Sequence, residues 1–144
     1  MLEVTRKVDY AIRSMVFLAS RPMHEFYNLS EIASVANLPQ NFLAKIFQQL
    51  NKKGLARSYR GPTGGFCLER SPDTISLLEI IEAVEGPIVL NRNVAEGSGS
   101  ERDEFCNVQP LYAEVQILIQ DMLQGVTLKD LSQNSGRQNY QCCN

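Results

Sequence analysis

Between positions 39 and 70 the chain carries six basic side chains, Lys45, Lys52, Lys53, Arg57, Arg60 and Arg70, against a single acid, Glu69. Gln40, Asn41 and Gln48 are interleaved with them. Amide side chains can pair with adenine edges, and Lys or Arg can reach guanine or a phosphate. The chemistry on offer is recognition of a polyanion, not bond-making. The charge distribution of the whole chain points the same way. Residues 1–70 hold ten Lys or Arg and five Asp or Glu, whereas 71–144 hold four and eleven, so a formal net charge of −2 conceals one half at +5 and another at −7. That division suits a polyanion-binding surface joined to a part that stays clear of the polyanion. Chance clustering on a solvated face is the plainer reading, but the basic residues coincide with the amides.

Enzymatic chemistry finds no support. No nucleophile–base pair or paired carboxylates in a plausible pocket can be picked out. The turn Gly61-Pro62-Thr63-Gly64-Gly65 lacks the Lys-Ser/Thr that completes a phosphate loop. The four cysteines, Cys67, Cys106, Cys142 and Cys143, match neither zinc-finger spacing nor a secreted disulfide framework, and read as reduced thiols. His24, the only histidine, falls in a loop and is assigned no role. No apolar run approaches the roughly 20 residues of a membrane span, and no signal sequence opens the chain, so a cytoplasmic location and no membrane partner are expected.

The elements that would position the polar face are legible. Ser30 is a good N-cap for a short helix with Glu31 in its first turn and Ile32, Val35 and Ala36 as its apolar stripe. Asn37 suits a left-handed helix end, Leu38 can tuck between two helices, and Pro39 suits the next start. The second helix runs over about 39–53. Leu43, Ile46, Phe47 and Leu50 fall at i, i+3, i+4 and i+7 and form its buried face; Gln40, Asn41, Ala44, Lys45, Gln48 and Lys52 form the other. Strands at 55–60 and 66–69 flank the glycine-rich turn, with Arg57 and Arg60 beside it for phosphate or the minor groove. Together these make a helix-turn-helix with a wing.

Around this head lie further helices. Thr5 can cap a helix to about Ser20 whose core stripe is Val8, Ala11, Ile12, Met15, Val16 and Ala19; Arg6 and Lys7 in its first turn oppose the helix dipole and could grip a phosphate. Ser76 and Glu79 form a capping box for a helix buried through Leu77, Ile80, Ile81 and Val84 and ended by Gly86-Pro87. Residues 91–105 read as a flexible polar loop. A helix over about 110–124 follows, with Leu111, Val115, Leu118, Ile119 and Met122 on one stripe that a second copy could cover. Thr127 caps a short helix through Leu131. The expected fold class is mainly α with a small β-hairpin wing: a winged helix-turn-helix domain at 1–87, a flexible loop at 88–109, a dimerisation helix and short capping helix at 110–131, and a disordered polar tail at 132–144.

In these pieces the chain resembles the IscR/NsrR/CymR family of bacterial winged-helix regulators over roughly residues 2–132. The matching residues are Thr5, Lys7, Tyr10 and Ala11, then 43–50 with Gly54-Leu55, and, most specifically, Arg60-Gly61-Pro62-Thr63-Gly64-Gly65-Phe66. Val84-Glu85-Gly86-Pro87, Cys106 and Thr127-Leu128 also fit. The resemblance implies a homodimer on double-stranded DNA with a palindromic operator, usually a repressor. The 110–124 helix would be the dimer seam, each wing would enter a minor groove and each recognition helix a major groove. Half-sites would then lie about one DNA turn, ~34 Å, apart. The DNA-binding residues on this reading are Arg6, Lys7, Tyr10, Gln40, Asn41, Ala44, Lys45, Gln48, Arg57, Arg60, Gly61, Thr63 and Gly64.

Cluster-binding relatives hold a two-iron two-sulfur centre on three cysteines before the dimer helix, in some with a histidine three residues on. This chain keeps only Cys106 of that set, with Ser100 and Val94 at upstream positions and Gln109 in the histidine place. Serine and glutamine are poor iron ligands beside thiolate and imidazole. Asp9 matches the carboxylate ligand of nitric-oxide-sensing relatives, yet Asp9 with Cys106 leaves a cluster under-ligated, and Asp9 could equally pair with Arg13. The leading expectation is therefore a regulator with no complete iron–sulfur ligand set and no other cofactor. The alternatives are a redox- or nitric-oxide-responsive iron–sulfur regulator using Cys106 and Asp9, a thiol switch at Cys106, and a winged helix used for protein contact.

Overall fold

The computed structural model describes residues 3–90 and 108–133. Helix α1 spans Arg6–Ala19, α2 Leu29–Ala36 and α3 Gln40–Lys52; strands β1 (Ala56–Tyr59) and β2 (Gly65–Leu68) follow, then a 3-10 turn at Pro72–Thr74, α4 (Leu77–Glu85), α5 (Gln109–Gln124) and α6 (Leu128–Ser132). This is the expected mainly helical winged helix-turn-helix. The 91–105 loop, Cys106 and the tail beyond Gln133 fall outside the described residues.

The helix starts follow from their caps. Thr5 Oγ1 accepts from the Val8 N–H, and Ser76 with Glu79 and Thr127 with Asp130 both close reciprocal capping boxes. Helix α2 corrects the expectation for Ser30. Asn28 is its N-cap, with Glu31 at the third helical position completing the box, so Ser30 lies inside the helix. The α2 stripe also differs: Ile32 and Ala33 are buried, whereas Val35 is 62% exposed. Eight residues make barely two turns, and Val35 lines an open groove with Ile12 and Val16 of α1 instead of entering the core.

One core joins these elements. Met15 of α1, Ile32 of α2, Leu43, Phe47 and Leu50 of α3, Leu55, Ile75 and Ile80 are all essentially inaccessible. Leu128 of the last short helix is fully buried in the same cluster. The chain thus returns from α5 to the core: the Leu77 N–H donates to the Val126 carbonyl and the Leu128 N–H to that of Ile75, both at 2.8 Å. Each large apolar side chain buried this way contributes about 1.5–3 kcal/mol. Helix α5, in contrast, buries no residue fully. Val115 and Ile119 are half-buried, but Leu111, Leu118 and Met122 on the same stripe stand in solvent, Leu118 at 67% exposure. Ser76 Oγ donates to Gln124 Oε1 and the Leu90 N–H to Gln116 Oε1, so the helix is tied on its other side to the N-cap of α4 and to the segment that follows α4.

Candidate nucleic-acid interface

Helix α3 is anchored by one face and open on the other. Leu43, Ile46, Phe47 and Leu50 are buried as the spacing requires. Gln40, Asn41, Lys45, Gln48 and Lys52 are exposed, and Ala44 is half-buried at the edge. The turn before it is fixed by Asn37 in the left-handed region (φ 54°, ψ 57°) and by the Leu38 N–H donating to the Ala33 carbonyl at 2.8 Å. Pro39, the N-cap, offers no side-chain bond, and no acid occupies the first turn. The amide end of α3 therefore keeps its partial positive charge uncompensated. At the far end Asn51 Nδ2 donates to Ser58 Oγ at 3.3 Å, and the Phe47 and Phe66 rings meet with centroids 4.6 Å apart, so the helix is packed directly against the wing.

The wing is an antiparallel pair with Arg57 opposite Cys67 and Tyr59 opposite Gly65. Its base carries a contact absent from the sequence reading. Tyr27, in the loop before α2, exchanges two backbone hydrogen bonds with Phe66, at 2.8 and 3.0 Å. That close approach needs the glycine before Phe66: a Cβ on Gly65 would sit 2.2 Å from the Tyr27 carbonyl oxygen. A Cβ on Gly64 would lie 2.3 Å from the Tyr59 carbonyl oxygen. The two glycines let three stretches of backbone meet where the wing begins. At its tip Arg60, Gly61, Pro62 and Thr63 are all exposed.

Three of the basic residues are already engaged. Arg57 does not stand free beside the turn, because it grips Glu69 through two hydrogen bonds of 2.7 Å. That bond holds the Glu69 carboxyl below its ordinary value and pushes the Arg57 guanidinium up. Lys7 turns inward: its Nζ donates to the Val84 carbonyl at the end of α4, where a cation complements the helix dipole. Thr5 Oγ1 likewise donates to Glu85 Oε1 at 2.5 Å, tying the start of α1 to the end of α4. Arg70 pairs with Glu79 at 2.6 Å. Burial works against the Glu79 charge, but hydrogen bonds from Ser76 and Arg70 outweigh it and leave its carboxyl below the ordinary value. Arg6, Lys45, Lys52 and Arg60 are exposed and have no acid within ion-pair distance among the described residues. Tyr10 is half-buried, its ring edge-on to Phe42.

Two residues of this surface escaped the sequence reading. Glu69 was detectable, since Arg57, Cys67 and Glu69 share one face of a two-stranded hairpin by simple alternation. Phe42, exposed in the first turn of α3, departs from the polar pattern of that face without joining the buried one.

As for a metal group, Asp9 accepts from Arg13 at 3.4 Å, and no three His, Cys, Asp or Glu side chains converge among the described residues. Gln109 begins α5 as a neutral amide. Cys67, a buried free thiol, is pushed up by burial and so kept from the thiolate form that binds metal. Among the described residues no donor set for an iron–sulfur cluster is assembled; Cys106 lies outside them.

Comparison with known proteins agrees with this geometry. The model of the Rrf2 family, described as "Iron-dependent Transcriptional regulator", matches residues 4–134. The HTH-type transcriptional regulator NsrR of Bacillus licheniformis is 28% identical over 139 residues, covering 92% of this chain and 94% of its own. Among solved structures, CymR, the global cysteine regulator of B. subtilis, superposes with a TM-score of 0.76 at 29% identity over 92% of this chain and 98% of its own. T. potens IscR gives 0.70 at 27% identity over 93% and 88%. The relatives are transcriptional regulators, not enzymes, and no described helix is long and apolar enough to cross a membrane.

Proposed function

The chain belongs to the Rrf2 family of transcriptional regulators, and we propose that within it this protein is a sequence-specific, homodimeric DNA-binding repressor that works without a complete iron–sulfur ligand set. The observation that carries the proposal is α3: its apolar face is buried, while Gln40, Asn41, Gln48, Lys45 and Lys52 are left outward with no acid among the described residues to neutralise the lysines. Gln40, Asn41 and Gln48 read base edges in the major groove, and Lys45 reaches guanine or phosphate. Arg60 at the wing tip enters the adjoining minor groove with Gly61, Thr63 and Gly64 close to the backbone, and Arg6 meets a phosphate. Arg57, paired with Glu69 on the wing, and Lys7, bonded to the end of α4, brace this surface.

The second copy enters through α5. Leu111, Leu118 and Met122 form an apolar stripe that the described residues leave uncovered, next to half-buried Val115 and Ile119. A two-fold axis through this stripe covers both copies at once and sets two reading heads on a palindrome. The absence of a full ligand set rests on donor chemistry: Ser100 and Gln109 stand where relatives are expected to carry thiolate or imidazole. The test is selection of binding sites from random duplexes by the full-length protein, with sedimentation of the protein alone. Recovery of an inverted repeat by a dimer, and loss of both dimer and binding in Leu118→Glu, support the proposal. A monomer, or recovery of no shared sequence, overturns it.

A further inference from the structure

One large apolar side chain interrupts the polar reading face. Phe42 lies in the first turn of α3, next to Asn41 and one turn before Lys45, and is 59% exposed. Single exposed aromatics are common on protein surfaces; this one is distinguished by where it stands and by how it is held. Its ring meets Tyr10 of α1 edge-on, with centroids 6.1 Å apart and planes at 66°. Tyr10 is itself packed against the core. One side of the Phe42 ring is therefore fixed and the other is open to whatever α3 docks against.

On the base edges of a major groove, the apolar group available to such a ring is the 5-methyl of thymine. Cytosine offers an amino donor there and no methyl, so an aromatic ring discriminates between the two by burial on one side and by an unpaired donor on the other. We propose that Phe42 is a specificity-determining residue that reads one thymine methyl in each half-site. The inference rests on the DNA-reading role of α3 proposed above and extends it: Gln40 and Asn41 supply hydrogen bonds, and Phe42 supplies the apolar contact that amides cannot make.

The test removes the methyl and nothing else. Full-length protein, Phe42→Ala and Phe42→Leu are titrated against the selected duplex, with its thymines replaced by uracil one at a time. For the unaltered protein, one replacement per half-site should weaken binding about fourfold, the effect of exposing one methyl-sized group. The same replacement should leave Phe42→Ala unaffected, and Phe42→Leu, which keeps an apolar side chain, should retain part of the penalty. If every uracil penalty persists undiminished in Phe42→Ala, or if no thymine is methyl-sensitive, the inference is overturned while DNA reading by α3 stands. If no duplex is selected at all, the DNA-reading role fails first and this inference with it.

Discussion

Replacing Gly65 with alanine tests how the wing is held. The new Cβ would stand 2.2 Å from the Tyr27 carbonyl oxygen and 2.7 Å from the Asn28 nitrogen, both backbone atoms that cannot rotate aside. Tyr27 and Phe66 must separate, which breaks the two hydrogen bonds between them. At about 1 kcal/mol net for each bond the loss is about 2 kcal/mol. Loosening of the Phe66 ring from Phe47 adds up to about 1 kcal/mol. Gly65→Ala should therefore be about 2–3 kcal/mol less stable, read as a lower urea midpoint with the slope unchanged. Gly54→Ala serves as the control, since nothing lies within 4 Å of its added Cβ and only the cost of its positive φ of 72° remains. An unchanged midpoint for Gly65→Ala would refute the reasoning that backbone proximity requires glycine there.

Other expectations follow from the engaged and free cations. Lys7→Met should lower stability by about 2 kcal/mol, since it removes a charged donor from the Val84 carbonyl, yet leave the salt dependence of DNA binding unchanged. A reduced salt slope would instead place Lys7 on a phosphate. Arg60→Ala should lower the slope of log affinity against log salt by about 2 for the dimer, one contact for each protomer, while Arg57→Ala should change it little because Glu69 already neutralises that guanidinium. The Glu69 carboxyl is held below its ordinary value, so the Arg57 bond contributes fully above about pH 4.3 and fades as pH falls through the depressed value. Acid titration of Glu69→Gln followed by tryptophan-free optical probes such as circular dichroism should show a flatter loss of stability in that range than the unaltered chain.

Much of the architecture was legible because local signals agree with the final packing. Thr5, Ser76 and Thr127 cap the helices they were expected to cap, Asn37 takes the left-handed turn, and Leu43, Ile46, Phe47 and Leu50 form the buried side of α3. The misses have two physical roots, one local and one long-range. A cap is chosen between two nearby candidates by where the carboxylate partner falls, and Glu31 lies three residues after Asn28, not Ser30. Lys7 reads as a surface cation until α4, some 77 residues on, brings a carbonyl to it. The Tyr27–Phe66 pairing spans 39 positions and leaves no periodic trace. Within the candidate interface, the outward face of α3 and the wing tip were readable from spacing, whereas the engagement of Arg57 depended on strand register and the exposure of Phe42 on how α1 sits beside α3.

Above all, this chain is expected to read a DNA sequence. The most direct test is the affinity of the full-length protein for its selected inverted repeat and for a scrambled duplex of the same length and composition, both measured at about 0.15 M salt. A ratio of at least about 10³ in favour of the repeat is expected. Equal affinities, with both falling alike as salt rises, would mean that the basic surface only neutralises phosphate, and would contradict that expectation.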